Sequence, residues 1–212
     1  MSKLRTGAIV PVKTFSKAKT RLNLSDEKTE DLCKMMLDEV LQTISNTNVI
    51  EKVAVVSKDE SAFKIGKKFG AVEIYDEKEK GVNEAVSIAD KYFLDEGFAA
   101  TIVLPQDIPL IQTEDIQNLC DFQMSGRCVL VVPSRKFDGT NALLRSPVDV
   151  METHYDEDSY KIHLTTANNK SAKAALVLIR RIMLDVDEPA DLQIILKYSK
   201  PSISKTLENL LI

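Results

Sequence analysis

Residues 99–110 read Ala99-Ala100-Thr101-Ile102-Val103-Leu104-Pro105-Gln106-Asp107-Ile108-Pro109-Leu110. The stretch up to Leu104 is apolar apart from one threonine and shows none of the alternation of a half-exposed strand. Such a run suits a strand buried on both faces, as in a parallel sheet covered by helices. Pro105 ends it, and Asp107 stands just past its carboxyl end. Comparable runs at Gly7–Val12, Val53–Ser57, Ala71–Tyr75, Cys128–Pro133, Asn141–Arg145 and Ala174–Arg180 alternate with longer amphipathic stretches. Asp26–Thr47 sets Leu32, Met35, Met36, Val40 and Ile44 at helical spacing behind an N-cap serine, Ser25. Asp59–Phe69 stops at Gly70, Val82–Leu94 stops before Gly97, Thr113–Gln123 opens on a capping threonine, and Asp191–Lys197 closes before Pro201. This alternation predicts an α/β chain with a single domain over residues 1–198, a doubly wound and mostly parallel sheet, and helices on both faces. The step from Val129 to Leu144 is too short for a crossover helix, so one antiparallel strand makes the sheet mixed. Residues 199–212 read as an appended amphipathic helical tail. Its apolar face, Ile203, Leu207, Leu210 and Leu211, packs either on the domain or on a partner subunit, the second case implying a homodimer.

The whole-chain properties narrow the class. Lys plus Arg is 28 against 32 Asp plus Glu, a net charge of -4 over 212 residues. That balance argues against nucleic acid or an anionic membrane as partner. No apolar run approaches the roughly 18 residues of a membrane span, and the N-terminal stretch is interrupted too early by Lys13 for a signal peptide. A cytoplasmic location is therefore expected. Cys33, Cys120 and Cys128 show no CxxC spacing, which leaves zinc and disulfides without support. The chain carries no GxSxG, HExxH or GxGxxG, so serine nucleophiles, zinc hydrolysis and a dinucleotide fingerprint have no basis.

Ligands of open α/β sheets bind beyond the carboxyl ends of the strands. That rule selects the segments after Val12, Leu104, Val132 and Arg181. Residues 11–22, PVKTFSKAKTRL, carry Lys13, Lys17, Lys19 and Arg21, four cations within nine residues of an acidic chain. Such a loop can neutralise a polyphosphate, with Lys as a point charge and Arg as a bidentate fork. It lacks the glycines of a P-loop, and a solvated basic loop accounts for the composition equally well. Prolines on either side fix the direction of Asp107; the alternative is an aspartate capping a turn. Residues 183–189, MLDVDEP, set Asp185 and Asp187 on one side of an extended segment, where they can converge on a cation. All-oxygen ligands favour Mg2+ or Mn2+ over zinc. The alternative is that Asp187 caps the helix beginning at Glu188-Pro189 while Asp185 is solvated. In residues 133–144, PSRKFDGTNALL, Asp138-Gly139 makes a turn, and Thr140 and Asn141 present donors at the start of a strand. An ordinary hairpin turn reads the same way. His154 and His163 are expected at the surface, on a helix and its preceding loop.

Taken in order, PVKTFSKAKTRL, GVNEAV (81–86), LPQDIPL (104–110), PSRKFDGTNALL and LDVDEPADL (184–192) resemble the 2-phospholactate guanylyltransferase family of coenzyme F-420 biosynthesis. The resemblance runs from about Ile9 to Leu196. It implies a GT-A-like nucleotidyltransferase fold and a reaction of GTP with 2-phospho-L-lactate, giving lactyl-2-diphospho-5'-guanosine and pyrophosphate. It further implies that Asp107, Asp185 and Asp187 hold Mg2+ or Mn2+. Lys13, Lys19 and Arg21 match the nucleotide-phosphate loop and count, with Asp107, as catalytic; Asn83 matches a nucleotide-side motif. Thr140 matches the threonine that binds the small acid. The family segment FGPGS corresponds to Tyr155-Asp156-Glu157-Asp158-Ser159, which keeps Ser159 and replaces both glycines with aspartate. Asp156 is then expected to meet the acid through its backbone, with the acidic side chains turned to solvent.

A phosphate nucleophile is already anionic at neutral pH, so the missing histidine constellation fits this chemistry. Relatives divide among 2-phospholactate, phosphoenolpyruvate and 3-phosphoglycerate. With 21 Lys against 7 Arg, the composition argues against a GC-rich actinobacterial source, where the phosphoenolpyruvate enzymes are common. It favours an archaeal source and 2-phospho-L-lactate. The other readings are a different GT-A-like transferase, whose usual Gly-rich first loop is absent, and a non-catalytic nucleotide-binding protein.

Overall fold

The computed structural model describes residues 4–155 and 158–211. In chain order it forms β1 (Thr6–Val12), α1 (Asp26–Ser45), β2 (Lys52–Ser57), α2 (Glu60–Lys68), β3 (Val72–Tyr75), α3 (Val82–Asp95) and β4 (Ala100–Val103). There follow α4 (Thr113–Asp121), β5 (Cys128–Pro133), β6 (Thr140–Ser146), α5 (Ser159–Asn169), β7 (Lys173–Leu176), α6 (Pro189–Tyr198) and α7 (Pro201–Leu211). The strands make one seven-stranded sheet in the order β3-β2-β1-β4-β6-β5-β7. Only β6 is reversed among the described strands: it runs antiparallel to both β4 and β5, and every other pairing is parallel. The short hairpin from β5 to β6 is the antiparallel step that the Val129–Leu144 spacing requires.

Alternate residues of the inner strands feed two cores. Ala8, Val10, Val55, Leu130 and Leu144 join one cluster with Leu37 and Leu41 of α1, Ile116 of α4 and Leu192 of α6. Ile9, Val56, Val131 and Leu143 join the other, with Phe93 of α3 and Ala167 of α5. This is the two-sided burial that continuous apolar runs specify. A side chain at Gly7 would meet the Phe93 ring, with an added Cβ only 2.2 Å from its nearest atom. The missing side chain is thus what lets α3 lie close on β1. No helix among the described residues is long and apolar enough to cross a membrane.

Several expected boundaries move. β7 stops at Leu176 instead of running to Arg180; its parallel pairing with β5 ends at Val131↔Leu176. The cap of α4 is Gln112, not Thr113; Gln112 and Asp115 form a reciprocal capping box that leaves Thr113 inside the helix. The tail forms α7 and buries Ile203 and Leu207 in the core cluster shared with α1 and α6, so that part of its apolar face packs on its own domain. The side chain of Leu211 lies outside the described residues.

Candidate functional site

One cleft of about 660 Å³ lies over the carboxyl ends of the parallel strands. Because β6 runs backwards, its first residue, Thr140, comes to the same edge as the ends of β1 and β4. Chain reversal thereby joins the basic loop, Asp107 and the Thr140–Asn141 pair at one place. Lys13, Lys19, Arg21, Asp107, Thr140, Asn141, Asp185 and Asp187 all line the cleft.

The basic loop is tied down before it reaches the cleft. Phe15, Ala18 and Leu22 are buried in the core, and the Phe15 N–H donates to Asp59 Oδ2 at 3.0 Å. Lys17 turns aside to Glu79 at 3.3 Å. Lys19 takes a left-handed backbone, φ 53°, which costs a residue with a Cβ about 1–2 kcal/mol. That turn aims its ammonium between two carboxylates: it donates to Asp107 Oδ2 and to Asp187 Oδ1, the latter at 2.6 Å. Burial opposes the ammonium charge, yet the two carboxylates outweigh it and raise the Lys19 pKa.

Asp185 faces the same cluster, and its Oδ1 accepts from Asn141 Nδ2 at 3.1 Å. Burial pushes its carboxyl above the usual range, and the charge of Asp107 adds to the push. Burial also presses Asp187 upward, but the Lys19 charge prevails and its pKa is lowered. The helix-capping alternative for Asp187 does not hold. Glu188 is the cap of α6, paired with Asp191 in a capping box, while the Asp187 side chain goes to Lys19. Among the described residues no three Asp, Glu, His or Cys side chains gather tightly enough to cage a metal unaided. The cation between Asp107 and Asp187 is the Lys19 ammonium. Asp107 Oδ1, turned away from it, is buried with no partner.

Thr140 ends a chain of polar contacts that reaches into the second core. The His154 backbone N–H, which can only donate, lies 2.9 Å from His163 Nε2. A neutral His163 therefore carries its proton on Nδ1 and donates it to Thr140 Oγ1 at 3.0 Å. Ser159 Oγ donates to the same oxygen at 3.0 Å. With two bonds accepted, the Thr140 hydroxyl keeps its own proton for the cleft. His163 is fully buried, which corrects the expected surface position. α5 packs it edge-on against Tyr155, at 4.9 Å between ring centroids, and both ring nitrogens are used. Burial pushes its pKa down to about 3, so the ring stays neutral.

Two expected contacts are not on the cleft wall. Asn83, in the first turn of α3, instead accepts the Tyr155 N–H at 2.7 Å and ties α3 to the segment before α5. Ser159 is buried behind Thr140. Asp156 lies outside the described residues, as does Glu157. Two wall residues were not singled out from the sequence: Gln106, inside LPQDIPL, whose Oε1 is buried without a partner, and Asp76, just past the end of β3. The strand-end rule, applied to β3 as to the other strands, reaches Asp76.

A family model described as "Guanylyl transferase CofC like" matches residues 6–210. Among curated proteins, the chain is similar to a phosphoenolpyruvate guanylyltransferase of Conexibacter woesei, 31% identical over 89% of this chain and 86% of that one. It is likewise similar to a 2-phospho-L-lactate guanylyltransferase of Methanothermobacter thermautotrophicus, 32% identical over 89% of this chain and 83% of the other. Solved structures share the fold. A Desulfovibrio desulfuricans protein assigned to the nucleotide-diphospho-sugar transferases superposes with TM-score 0.73 at 15% identity, covering 98% of this chain and 96% of its own. A Leptospira borgpetersenii cytidylyltransferase gives TM-score 0.63 at 15% identity, with coverages of 97% and 94%.

Proposed function

We propose that this chain, which belongs to the CofC-like guanylyl transferase family, transfers GMP from GTP to the phosphate of 2-phospho-L-lactate and releases pyrophosphate. The observation that carries the reading is the convergence of three kinds of group on one cleft. A basic loop suits the triphosphate, a carboxylate cluster lies beside it, and a threonine hydroxyl with a free proton suits an anionic acid.

The acceptor phosphate has a second pKa of about 6 and is mostly dianionic at neutral pH. Its oxygen attacks the α-phosphorus of GTP, a new P–O bond forms, and the bond to the β-phosphate oxygen breaks. No base is needed to remove a proton. Catalysis then consists of holding the partners in line and neutralising charge. Lys13 and Arg21, on the loop after β1, take the charge that grows on the departing pyrophosphate. Thr140 donates to the carboxylate or phosphate of the acid, oriented by His163 and Ser159. Asp107, Asp185 and Asp187 fit a hard divalent ion such as Mg2+ or Mn2+, since they offer only oxygen and Asp107 Oδ1 is buried without a partner. Such an ion, when bound, neutralises charge at the transferring phosphoryl group.

Pyrophosphate release from GTP tests the proposal, run with 2-phospho-L-lactate and, in parallel, with phosphoenolpyruvate. Turnover highest with 2-phospho-L-lactate is the expected result. Turnover with phosphoenolpyruvate alone would move the reaction to that acid, and none with either would sink guanylyl transfer.

A further inference from the structure

The cleft crosses the strand ends in the order β3-β2-β1-β4-β6. Thr140 opens β6 at one end, Asp107 follows β4, and the basic loop follows β1. Neighbouring strands lie about 4.7–4.9 Å apart, which puts the end of β3 roughly 10 Å past the basic loop and roughly 19 Å from Thr140. The proposed function sets the acid against Thr140 and the triphosphate against the loop. The nucleotide base then falls at β3, a placement that rests on the proposed transfer.

At this end Val56, Val82 and Ala85 give the wall an apolar strip suited to a planar base, with Asp76, Glu79 and Lys80 beside it. Asp76 is only 4% exposed. Its Oδ1 accepts the Glu79 N–H at 3.0 Å, while Oδ2 has no partner among the described residues. The nearby Glu79 is not free in the same way: one oxygen takes the Thr14 N–H and the other Lys17. Asp76 lines the cleft, so its unengaged Oδ2 is placed to accept from a ligand that donates. Oδ1 keeps a second lone pair for the same purpose.

The bases differ in what they offer such a group. Adenine and cytosine put an amine beside a bare ring nitrogen, and uracil puts one N–H between two carbonyls. Guanine alone presents an N–H and an amine side by side, the pattern that matches the two oxygens of a carboxylate. We infer that Asp76 selects guanine, its carboxylate accepting the ring N1–H and the 2-amino group.

Two measurements test this. In the first, GTP, ITP and ATP compete with a methylanthraniloyl-GTP probe on the wild-type protein; ITP lacks only the 2-amino group. Binding of ITP roughly tenfold weaker than GTP is expected, the size of one charge-assisted hydrogen bond. In the second, Asp76→Asn is assayed for binding of GTP and of XTP, which carries a carbonyl where guanine has its amine. Asn keeps an oxygen for the Glu79 N–H, so the turn is preserved. GTP binding should fall by about 100-fold while XTP binding improves, because the amide now donates. Equal wild-type affinity for GTP and ITP, or an unchanged preference in Asp76→Asn, overturns the inference. Selective GTP binding without pyrophosphate release upholds Asp76 while failing the proposed transfer, so the two failures separate.

Discussion

His163 shows how a single buried ring can govern a residue on the cleft wall. It touches no cleft space itself, yet its tautomer decides what Thr140 can do. Donation from Nδ1 leaves the threonine proton free, and that depends on the His154 N–H holding Nε2. His163→Phe keeps the volume and removes both bonds. The expected result is a KM for the small acid raised about tenfold with the KM for GTP unchanged, a split that general loosening of the fold would not produce. The same ring leaves a mark on stability. Its folded pKa is pushed down to about 3 from an ordinary 6.5. Between those values the unfolded chain holds a proton that the folded one does not, so stability rises with pH and levels off above 6.5. His163→Phe should flatten that part of a melting-temperature profile; an unaltered slope would assign it elsewhere. Lys19 works by charge. Lys19→Ala leaves Asp107 and Asp187 facing each other unneutralised, and kcat should fall roughly 10²–10³-fold, the scale of losing one preorganised charge.

Among the elements, α3 is held by features that only packing reveals. Its Phe93 ring occupies the space above Gly7 and stacks edge-on against Phe98 at 4.9 Å. Gly7→Ala has no room for its methyl and should cost about 1–3 kcal/mol. For a chain of this size that lowers Tm by about 2–4 °C per kcal/mol, readable by calorimetry. Three residues before Phe93, Asp90 binds the fully buried Arg145 of β6 through two bonds, 2.6 and 2.7 Å, and Thr101 adds a third at 3.1 Å. Asp90→Ala strands that guanidinium in the core and should destabilise by about 3–5 kcal/mol. A loss under about 1 kcal/mol would mean that water reaches Arg145.

For the molecule as a whole, the cleft brings a basic loop and three aspartates together in a chain of net charge -4. Occupation of that cleft links to global stability, because the unfolded chain has no such site. GTP at roughly 100 times its Kd should add about 2.7 kcal/mol. The corresponding rise in Tm should shrink when EDTA removes divalent ions, if the carboxylates bind GTP through Mg2+. A GTP-induced shift indifferent to EDTA would leave nucleotide binding to the lysines and arginine alone.

The local pattern of apolar runs and breaks determined the α/β class, the antiparallel step at β6 and most element positions, since hydrophobic period and turn residues act over short chain distances. The motif residues Lys13, Lys19, Arg21, Asp107, Thr140, Asp185 and Asp187 were legible too, lying in the segments that follow strands or, for Thr140, opening one. Their partners were not. That Lys19 lodges between Asp107 and Asp187, 88 and 168 residues away, follows only from sheet order. The burial of His163 behind Thr140, the diversion of Asn83 to Tyr155 and the lone oxygen of Asp76 likewise appear only once α3 and α5 are docked. Composition and spacing carry no record of which side chains remain unpaired after packing. Hydrogen bonds between distant elements are chosen by the tertiary fold, and the chemistry of this cleft consists of such bonds.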